Sequence, residues 1–172
     1  MSIIHAFCLV GCLATTVFGQ SQPDTTKPPC STPAASQFDF WVGEWQLSWA
    51  DSGRGTNIIT KPLGSCVIQE QFRDLAPNSL VGLSVSVYNA TTEQWQQTWV
   101  DNQGGYMVFT GGFADDKMIL SRETTRPDGT PVTQRMVFRD ITAESLIWDW
   151  EASTDGGKSW NTNWQIRYQR MK

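Results

Sequence analysis

Glu70 and Asp101 are the two residues of this 172-residue chain whose type and neighbours most favour chemistry. Glu70 lies two residues from Ile68 and from Phe72, and Asp101 lies two residues after Trp99. Side chains two apart share one face of a β-strand, so both carboxyl groups are predicted to lie among apolar side chains, where desolvation raises a carboxyl pKa. Two such groups across a cavity would act as general acid and general base. The alternative is that polar residues inside the fold neutralise them, and three are available: Arg135, Arg139 and Tyr88.

The only histidine of the chain, His5, lies in an N-terminal segment that is predicted to be removed. Without an imidazole, the mature protein has no Ser-His-Asp or Cys-His catalytic group. It also has no histidine ligand for haem or for the common zinc sites. We therefore expect no metal and no resident cofactor, and any catalysis would depend on carboxylate, Tyr, Lys or Arg groups or on a borrowed cofactor.

Residues 1–19 are predicted to be a signal peptide. They contain no Lys, Arg, Asp or Glu, and Val17 and Gly19 fit the small-residue rule for cleavage before Gln20. Two alternatives stay open. One is a transmembrane anchor, for which the apolar run is barely long enough; the other is a lipid-anchored N-terminus at Cys12, because residues 9–12 fit a bacterial lipobox. The preferred interpretation is a secreted or periplasmic protein that contacts a membrane only if Cys12 carries a lipid.

Charge and cysteine content limit the partners and the compartment. The chain has a net charge of −4, and a mildly acidic surface repels phosphate backbones, so nucleic acid is not an expected partner. Of the four cysteines, Cys8 and Cys12 lie in the predicted signal peptide, which leaves Cys30 and Cys66. An oxidising compartment favours a disulfide between these two; two free thiols are the alternative.

The rest of the chain divides into a linker and one domain. Residues 20–36 contain four prolines and many Ser and Thr residues, which is typical of a disordered linker. Residues 37–172 consist of short alternating apolar and polar runs separated by turn residues. The predicted strands are 44–50, 55–62, 65–73, 80–88, 94–101, 105–111, 117–124, 132–140, 145–152 and 163–170.

Sequential strands joined by short turns predict an antiparallel up-and-down meander. Closing such a meander into a barrel removes both exposed edges. The expected fold is therefore all-β, an up-and-down barrel of about ten strands, and a β-sandwich is the alternative.

In a closed barrel, every second side chain points into the lumen. Tryptophans occupy alternate positions of several predicted strands, while the positions between them, such as Gln94, Gln96 and Thr98, are polar. The indole faces are therefore predicted to point inward and to form an aromatic pocket for a small molecule, with Glu70 and Asp101 orienting its polar end. The predicted ligand-contacting residues are Trp45, Trp49, Trp95, Gln97, Trp99, Trp148 and Trp150.

Four segments in order resemble an uncharacterised, mostly bacterial, exported family of lipocalin-like proteins: FDFWVGEW (38–45), GSCVIQEQF (64–72), WQQTWVDNQGG (95–105) and STDGGKSW (153–160). The resemblance implies a calycin-type barrel in which a short helical turn closes one end. It also implies that Trp45, in the Gly-x-Trp motif of the first strand, plugs that end, with Arg167 or Arg170 lying across its ring. No activity comes with the resemblance. Similar haem-binding barrels of the nitrobindin type use a histidine ligand, which this domain lacks, so haem binding is not expected.

Residues 153–160 also fit the Asp-box pattern S-x-D-x-G-x-[ST]-W. In that motif the aspartate caps turn amides and the tryptophan packs beneath the turn. A single copy, without a repeat of about 40–50 residues, does not indicate a propeller. We expect a structural hairpin turn between the last two strands.

The sequence as a whole predicts an exported barrel that binds a small apolar or amphipathic molecule. Nine tryptophans in so short a domain favour this interpretation. Two alternatives remain. One is a metal-independent isomerase, cyclase or hydrolase that uses Glu70 and Asp101, and the other is a packed structural barrel without a ligand.

Overall fold

A computed structural model of the chain describes residues 28–172. The predicted signal peptide, Cys12 with its lipidation alternative, and linker residues 20–27 lie outside the described residues. In the part that is described, no helix has both the length and the apolar character needed to cross a membrane. The strands are β1 (Gly43–Trp49), β2 (Gly53–Thr60), β3 (Val67–Asp74), β4 (Val81–Asn89), β5 (Gln94–Asp101), β6 (Tyr106–Ala114), β7 (Lys117–Thr125), β8 (Pro131–Arg139), β9 (Ser145–Ser153) and β10 (Asn161–Arg170).

The strands form one closed antiparallel barrel. Each strand pairs with its neighbours in the chain, and β1 closes the ring against β10, with Trp45 opposite Arg170 and Leu47 opposite Tyr168. The prediction of an all-β, ten-stranded up-and-down barrel is confirmed, and the sandwich alternative is wrong. Every predicted strand overlaps its observed counterpart, and the ends differ by three residues or fewer.

A 3-10 helix at Asp39–Trp41 closes one end of the barrel, which we call the plug end. Gly43 then adopts a φ of 137°, a conformation that only glycine takes readily, and leads the chain into β1. Trp45 is completely buried here, and its indole N–H donates to the Trp41 carbonyl oxygen at 2.7 Å. The Arg170 guanidinium lies 4.1 Å from the Trp45 ring centroid and donates to two plug carbonyl groups at 2.8 and 3.1 Å. Of the two arginines expected for this contact, Arg170 makes it.

A disulfide between Cys30 and Cys66 fastens the N-terminal segment to the barrel, as predicted. Cys66 directly precedes β3. Because the disulfide joins residues 36 positions apart, it is expected to stabilise the fold by about 3–4 kcal/mol. Ala34–Ser36 forms a 3-10 helix in which Ala35 is buried. The folded part therefore begins before Gln37, the first residue of the predicted domain.

The hairpin between β9 and β10 has the predicted Asp-box structure. The Asp155 carboxylate accepts hydrogen bonds from the Ser159 hydroxyl at 2.6 Å and from the Ser153 hydroxyl at 2.7 Å, and these bonds hold its pKa well below the usual range. The Trp160 ring lies on the outer face, with the Arg135 guanidinium 3.7 Å from its centroid. The motif shapes this turn and contributes nothing to the lumen.

Candidate functional site

The lumen contains a densely packed part at the plug end. Phe38, Trp45, Trp95 and Phe138 are each no more than 1% exposed. The Phe38 ring meets the Trp95 and Phe138 rings edge-on, with centroids 5.3 and 5.2 Å apart. Such contacts have the density and geometry of an ordinary hydrophobic core. This half of the lumen is a filled core.

A cavity of about 300 Å³ occupies the other half of the lumen. Trp41 and Tyr168 border it at the base, and Leu80 and Gln103 border it at the opposite end of the barrel, which we call the open end. Its volume is at the small end of the range for ligand pockets, which is about 300–1,000 Å³. The cavity is therefore large enough for a compact molecule.

Four tryptophans form the wall of this cavity: Trp99, Trp148, Trp150 and Trp164. The Trp148 and Trp150 rings are nearly parallel, with an interplanar angle of 11°, and Trp164 meets Trp148 at 87°. The Trp99 ring lies directly over Gly82, where an added Cβ would come within 2.2 Å of it. Flat indole surfaces around a void offer an apolar ligand a large contact area.

Glu70 lies at the base of the cavity and is 6% exposed. Its carboxylate accepts hydrogen bonds from the Asn57 amide at 2.7 Å and from the Ser84 hydroxyl at 2.6 Å. Asn57 also donates to the Tyr168 hydroxyl at 3.1 Å. Neutral groups of β2, β4 and β10 thus hold the carboxyl group of β3 inside the barrel.

The prediction that Arg135, Arg139 or Tyr88 neutralises Glu70 is wrong. Arg135 pairs with Glu151 at 2.6 Å, and Arg139 pairs with Asp149 at 2.7 Å. These pairs join neighbouring strands β8 and β9 on the outer face of the barrel. The third candidate, Tyr88, packs its ring against Trp95. Since both arginines form ion pairs outside the lumen, Glu70 accepts hydrogen bonds from neutral donors only.

Burial has the largest effect on the pKa values of the groups at the base of the cavity. Desolvation raises the Glu70 pKa to about 7, even though hydrogen bonds from Ser84 and Asn57 act in the opposite direction. Desolvation, followed by the Glu70 charge, also raises the pKa of Tyr168 above its usual range. Near neutral pH, Glu70 therefore exchanges between acid and carboxylate, while Tyr168 keeps its proton.

Asp101 also borders the cavity, at the open end, but it caps a turn. Its carboxylate accepts hydrogen bonds from the Trp99 indole N–H and from the backbone N–H groups of Gln103 and Gly105, all at 2.9 Å. These bonds, the one from Trp99 first, hold the Asp101 pKa below its usual range. The Asp101 carboxylate therefore orients Trp99 and the loop after β5, and its pKa is lowered, whereas the sequence pattern predicted a raised pKa.

Of the seven predicted ligand-contacting residues, three border the cavity: Trp99, Trp148 and Trp150. Four others point into the barrel but do not line the cavity: Trp45, Trp49, Trp95 and Gln97. Trp45 and Trp95 fill the plug end. Gln97 donates to the Ser86 hydroxyl at 3.0 Å, and Trp49 packs over Gly53. The predicted inward faces are correct, but an inward position does not by itself place a side chain on the cavity. Trp45 and Trp95 lie in the core of the plug end, whereas Trp49 lies at the open end, where β1 stops, and stays outside the cavity lining.

Sequence reasoning missed twelve residues that line the cavity, among them Trp41, Arg122, Trp164 and Tyr168. The alternation of Trp164 and Tyr168 along β10 carried the same signal as the other strands. No periodicity marks Trp41, which reaches the lumen from a 3-10 helix. Arg122 is a cation on an inward face, where its Nε donates to Gln134 at 2.8 Å and burial lowers its pKa.

Within residues 28–172, no group of three or more His, Cys, Asp or Glu side chains is arranged to hold a metal ion. A comparison of the chain with protein-family models gives no match, and a comparison with curated proteins gives none either. The geometry of the cavity is therefore the basis for inferring function.

Proposed function

We propose that the protein is an exported barrel that binds a small apolar or amphipathic molecule in its lumen. The observation that carries this proposal is the 300 Å³ cavity with its wall of indole rings and its polar base. A core filled for stability alone would pack at interior density, as the plug end does. An apolar pocket with a few convergent polar groups is the usual form of a small-molecule site.

Two further observations support export and membership of a lipocalin-like family. The Cys30–Cys66 disulfide fits an oxidising compartment, which agrees with a signal peptide at residues 1–19. The closed barrel with its helical plug and the Arg170–Trp45 contact has the form that the resemblance to lipocalin-like proteins implied.

Tryptophan fluorescence tests this proposal directly. Quenching would be measured with a panel of lipids, pigments, sugars and aromatic acids, in the wild type and in two variants. We expect Trp150→Leu to weaken binding of the quenching compound about tenfold, because an indole contact surface is lost. Trp160→Leu, which removes an outer indole, should leave the affinity unchanged. Absence of quenching by every class would instead favour the packed structural barrel.

A second candidate, an acid–base enzyme, is favoured by one observation. Glu70 has a pKa of about 7 and borders the cavity, and a pKa near the working pH is what general acid–base catalysis requires. Asp101, the other predicted member of the pair, stays ionised as a turn cap, so Glu70 would carry out both proton transfers.

Proton exchange tests this second candidate without knowledge of a natural substrate. Small cyclic ketones would be incubated with the protein in deuterated water, and loss of the α-proton signal would be followed by NMR. An acid–base enzyme predicts exchange in the wild type and in Asp101→Asn, and loss of exchange in Glu70→Gln with ketone binding retained. If wild-type protein that binds the ketone gives no exchange above buffer, proton abstraction from bound ketones by Glu70 is dismissed and the binding function stands.

A further inference from the structure

Two hydrogen-bond donors, the Trp41 indole N–H and the Tyr168 hydroxyl, lie at the base of the cavity. The Trp41 side chain is 1% exposed, and its indole N–H has no hydrogen-bond partner among the described residues. The same side chain borders the cavity. A buried N–H group without an acceptor costs about 1–3 kcal/mol, so its retention at the edge of a void needs an explanation.

The second donor is the Tyr168 hydroxyl. It is buried, it borders the cavity, and it accepts a hydrogen bond from the Asn57 amide at 3.1 Å. Because that bond uses a lone pair of the oxygen, the hydroxyl proton stays available to donate. The Trp41 indole N–H faces the Tyr168 oxygen closely enough to act against the rise of the Tyr168 pKa, but the pair falls outside hydrogen-bond geometry, so the N–H has no full acceptor. The two donors are therefore neighbours at one spot of the base.

The charge at this spot determines which acceptor fits. Both donors are neutral, and the Glu70 carboxyl group is linked to Tyr168 through Asn57. An ionised Glu70 repels a ligand carboxylate in a low-dielectric cavity much more strongly than it repels the partial negative charge of a neutral carbonyl oxygen. The one cation on the cavity wall among the described residues, Arg122, is bound to Gln134 and lies 5.7 Å from the Phe109 ring, on a different part of the wall.

We infer that the base of the lumen binds the neutral carbonyl oxygen of a compact, apolar ligand, with the Trp41 N–H and the Tyr168 O–H both donating to it. This inference rests on the proposed binding function and names its ligand class: a ring-containing ketone, aldehyde, ester or amide. The indole wall encloses the hydrocarbon part, and the cavity volume of about 300 Å³ favours a ring system over a long acyl chain.

Matched probes test the inference without any variant. 9-Fluorenone, its hydrocarbon analogue fluorene, and the anion 2-naphthoate would each be measured by equilibrium dialysis with wild-type protein. We expect fluorenone to bind about tenfold more tightly than fluorene, because each of two hydrogen bonds contributes modestly to affinity. The infrared carbonyl stretch of bound fluorenone should move to lower wavenumber than in an apolar solvent.

Variants then assign the preference to the two donors. Tyr168→Phe and Trp41→Phe should each reduce the ratio of fluorenone to fluorene affinity about threefold or more, because each removes one donor but keeps an aromatic ring. Trp150→Phe is the matched control at the wall. It should weaken both probes by the same factor and leave the ratio unchanged.

The outcomes distinguish carbonyl recognition at the base from ligand binding in the lumen as a whole. Equal affinity for fluorenone and fluorene, with no infrared shift, overturns carbonyl recognition but leaves lumen binding intact; this is also the result expected if water fills the base. Tightest binding of 2-naphthoate overturns it in favour of Arg122 as an anchor for anions. If none of the three probes binds and the fluorescence panel is also negative, the proposed function falls together with the inference.

Discussion

The two ends of the lumen contain the same residue type in opposite settings. At the plug end, Trp45 has Tyr168 at its edge and Arg170 over its face, and none of its surface is exposed. At the open end, Trp148 and Trp150 stack against each other and border a void. An inward-pointing indole therefore belongs to the core where other side chains pack against it, and it forms a ligand-contact surface where it borders the cavity.

Strand β4 helps to position the groups that border the void. Its inward positions carry small residues, with Ser84 and Ser86 fully buried, while Leu83 and Val85 point outward and are 45% and 43% exposed. The small inward residues leave room for the Trp99 ring, which lies over Gly82, and for the Glu70 carboxyl group, which is bonded to Ser84. The comparison of the two ends can be tested by substitution.

The largest expected difference between the two ends is in stability. Trp45→Ala should lower the free energy of unfolding by about 3–5 kcal/mol, because it leaves a buried cavity and removes the contact with Arg170. Trp150→Ala should cost about 1–2 kcal/mol, since this ring already borders a void. Urea unfolding of both variants measures the difference. Equal losses would mean that the open end is packed as tightly as the plug end.

The next effect concerns pH. The Glu70 carboxyl group has a pKa of about 7 in the fold and an ordinary value of 4.5 when unfolded. The folded state therefore holds this proton more tightly, so the contribution of Glu70 to stability is fully present below pH 4.5 and falls on the order of 3 kcal/mol as the pH rises to 7. Glu70→Gln cannot ionise and should remove this decline.

Asp101→Asn is the matched control for that titration. The Asp101 pKa is lowered, so its contribution is present at neutral pH and is lost only as the pH falls through its folded pKa. The variant should keep the wild-type decline between pH 5 and 7. Denaturant unfolding at a series of pH values measures both, and a decline that persists in Glu70→Gln would assign it to another group.

The smallest effect is expected at the wall. A Cβ at Gly82 would come within 2.2 Å of the Trp99 ring, whereas one at Gly112 would meet nothing within 4 Å. Gly82→Ala should displace Trp99 and weaken binding of a quenching ligand about threefold to tenfold, with a loss of stability near 1 kcal/mol. Gly112→Ala should change neither. Equal affinities for the two variants would show that Trp99 does not contact the ligand.

The strands and their inward faces could be predicted because they depend on local information. Alternation of Trp95, Gln97 and Trp99 along β5, together with turn residues between runs, acts over only a few positions. A signal of this kind identifies a face, but it does not give the volume enclosed by that face. Gln97, which was predicted to touch the ligand, is inward as expected and yet is bound to Ser86 below the cavity.

The partners of Glu70 could not be predicted, because they come from strands that only the closed ring brings together. The Glu70 hydrogen-bond partners Asn57 and Ser84 lie 13 and 14 positions away in the chain, and Tyr168, which is linked to Glu70 through Asn57, lies 98 positions away. Cross-strand register places Ser84 opposite Glu70 on β3 and opposite Trp99 on β5. Because Ser84 is small and carries a hydroxyl group, it donates a hydrogen bond to the Glu70 carboxyl group and leaves room beside the Trp99 indole.

The sequence by itself determined the barrel and the parity of its strands and favoured the disulfide, since alternation, turn residues and the presence of two cysteines within residues 28–172 are properties of the chain. Tertiary structure alone decided which indoles surround a void and how Glu70 titrates. Both depend on volumes and dielectric surroundings that exist only after β1 has closed against β10 and the helix at Asp39–Trp41 has entered the lumen.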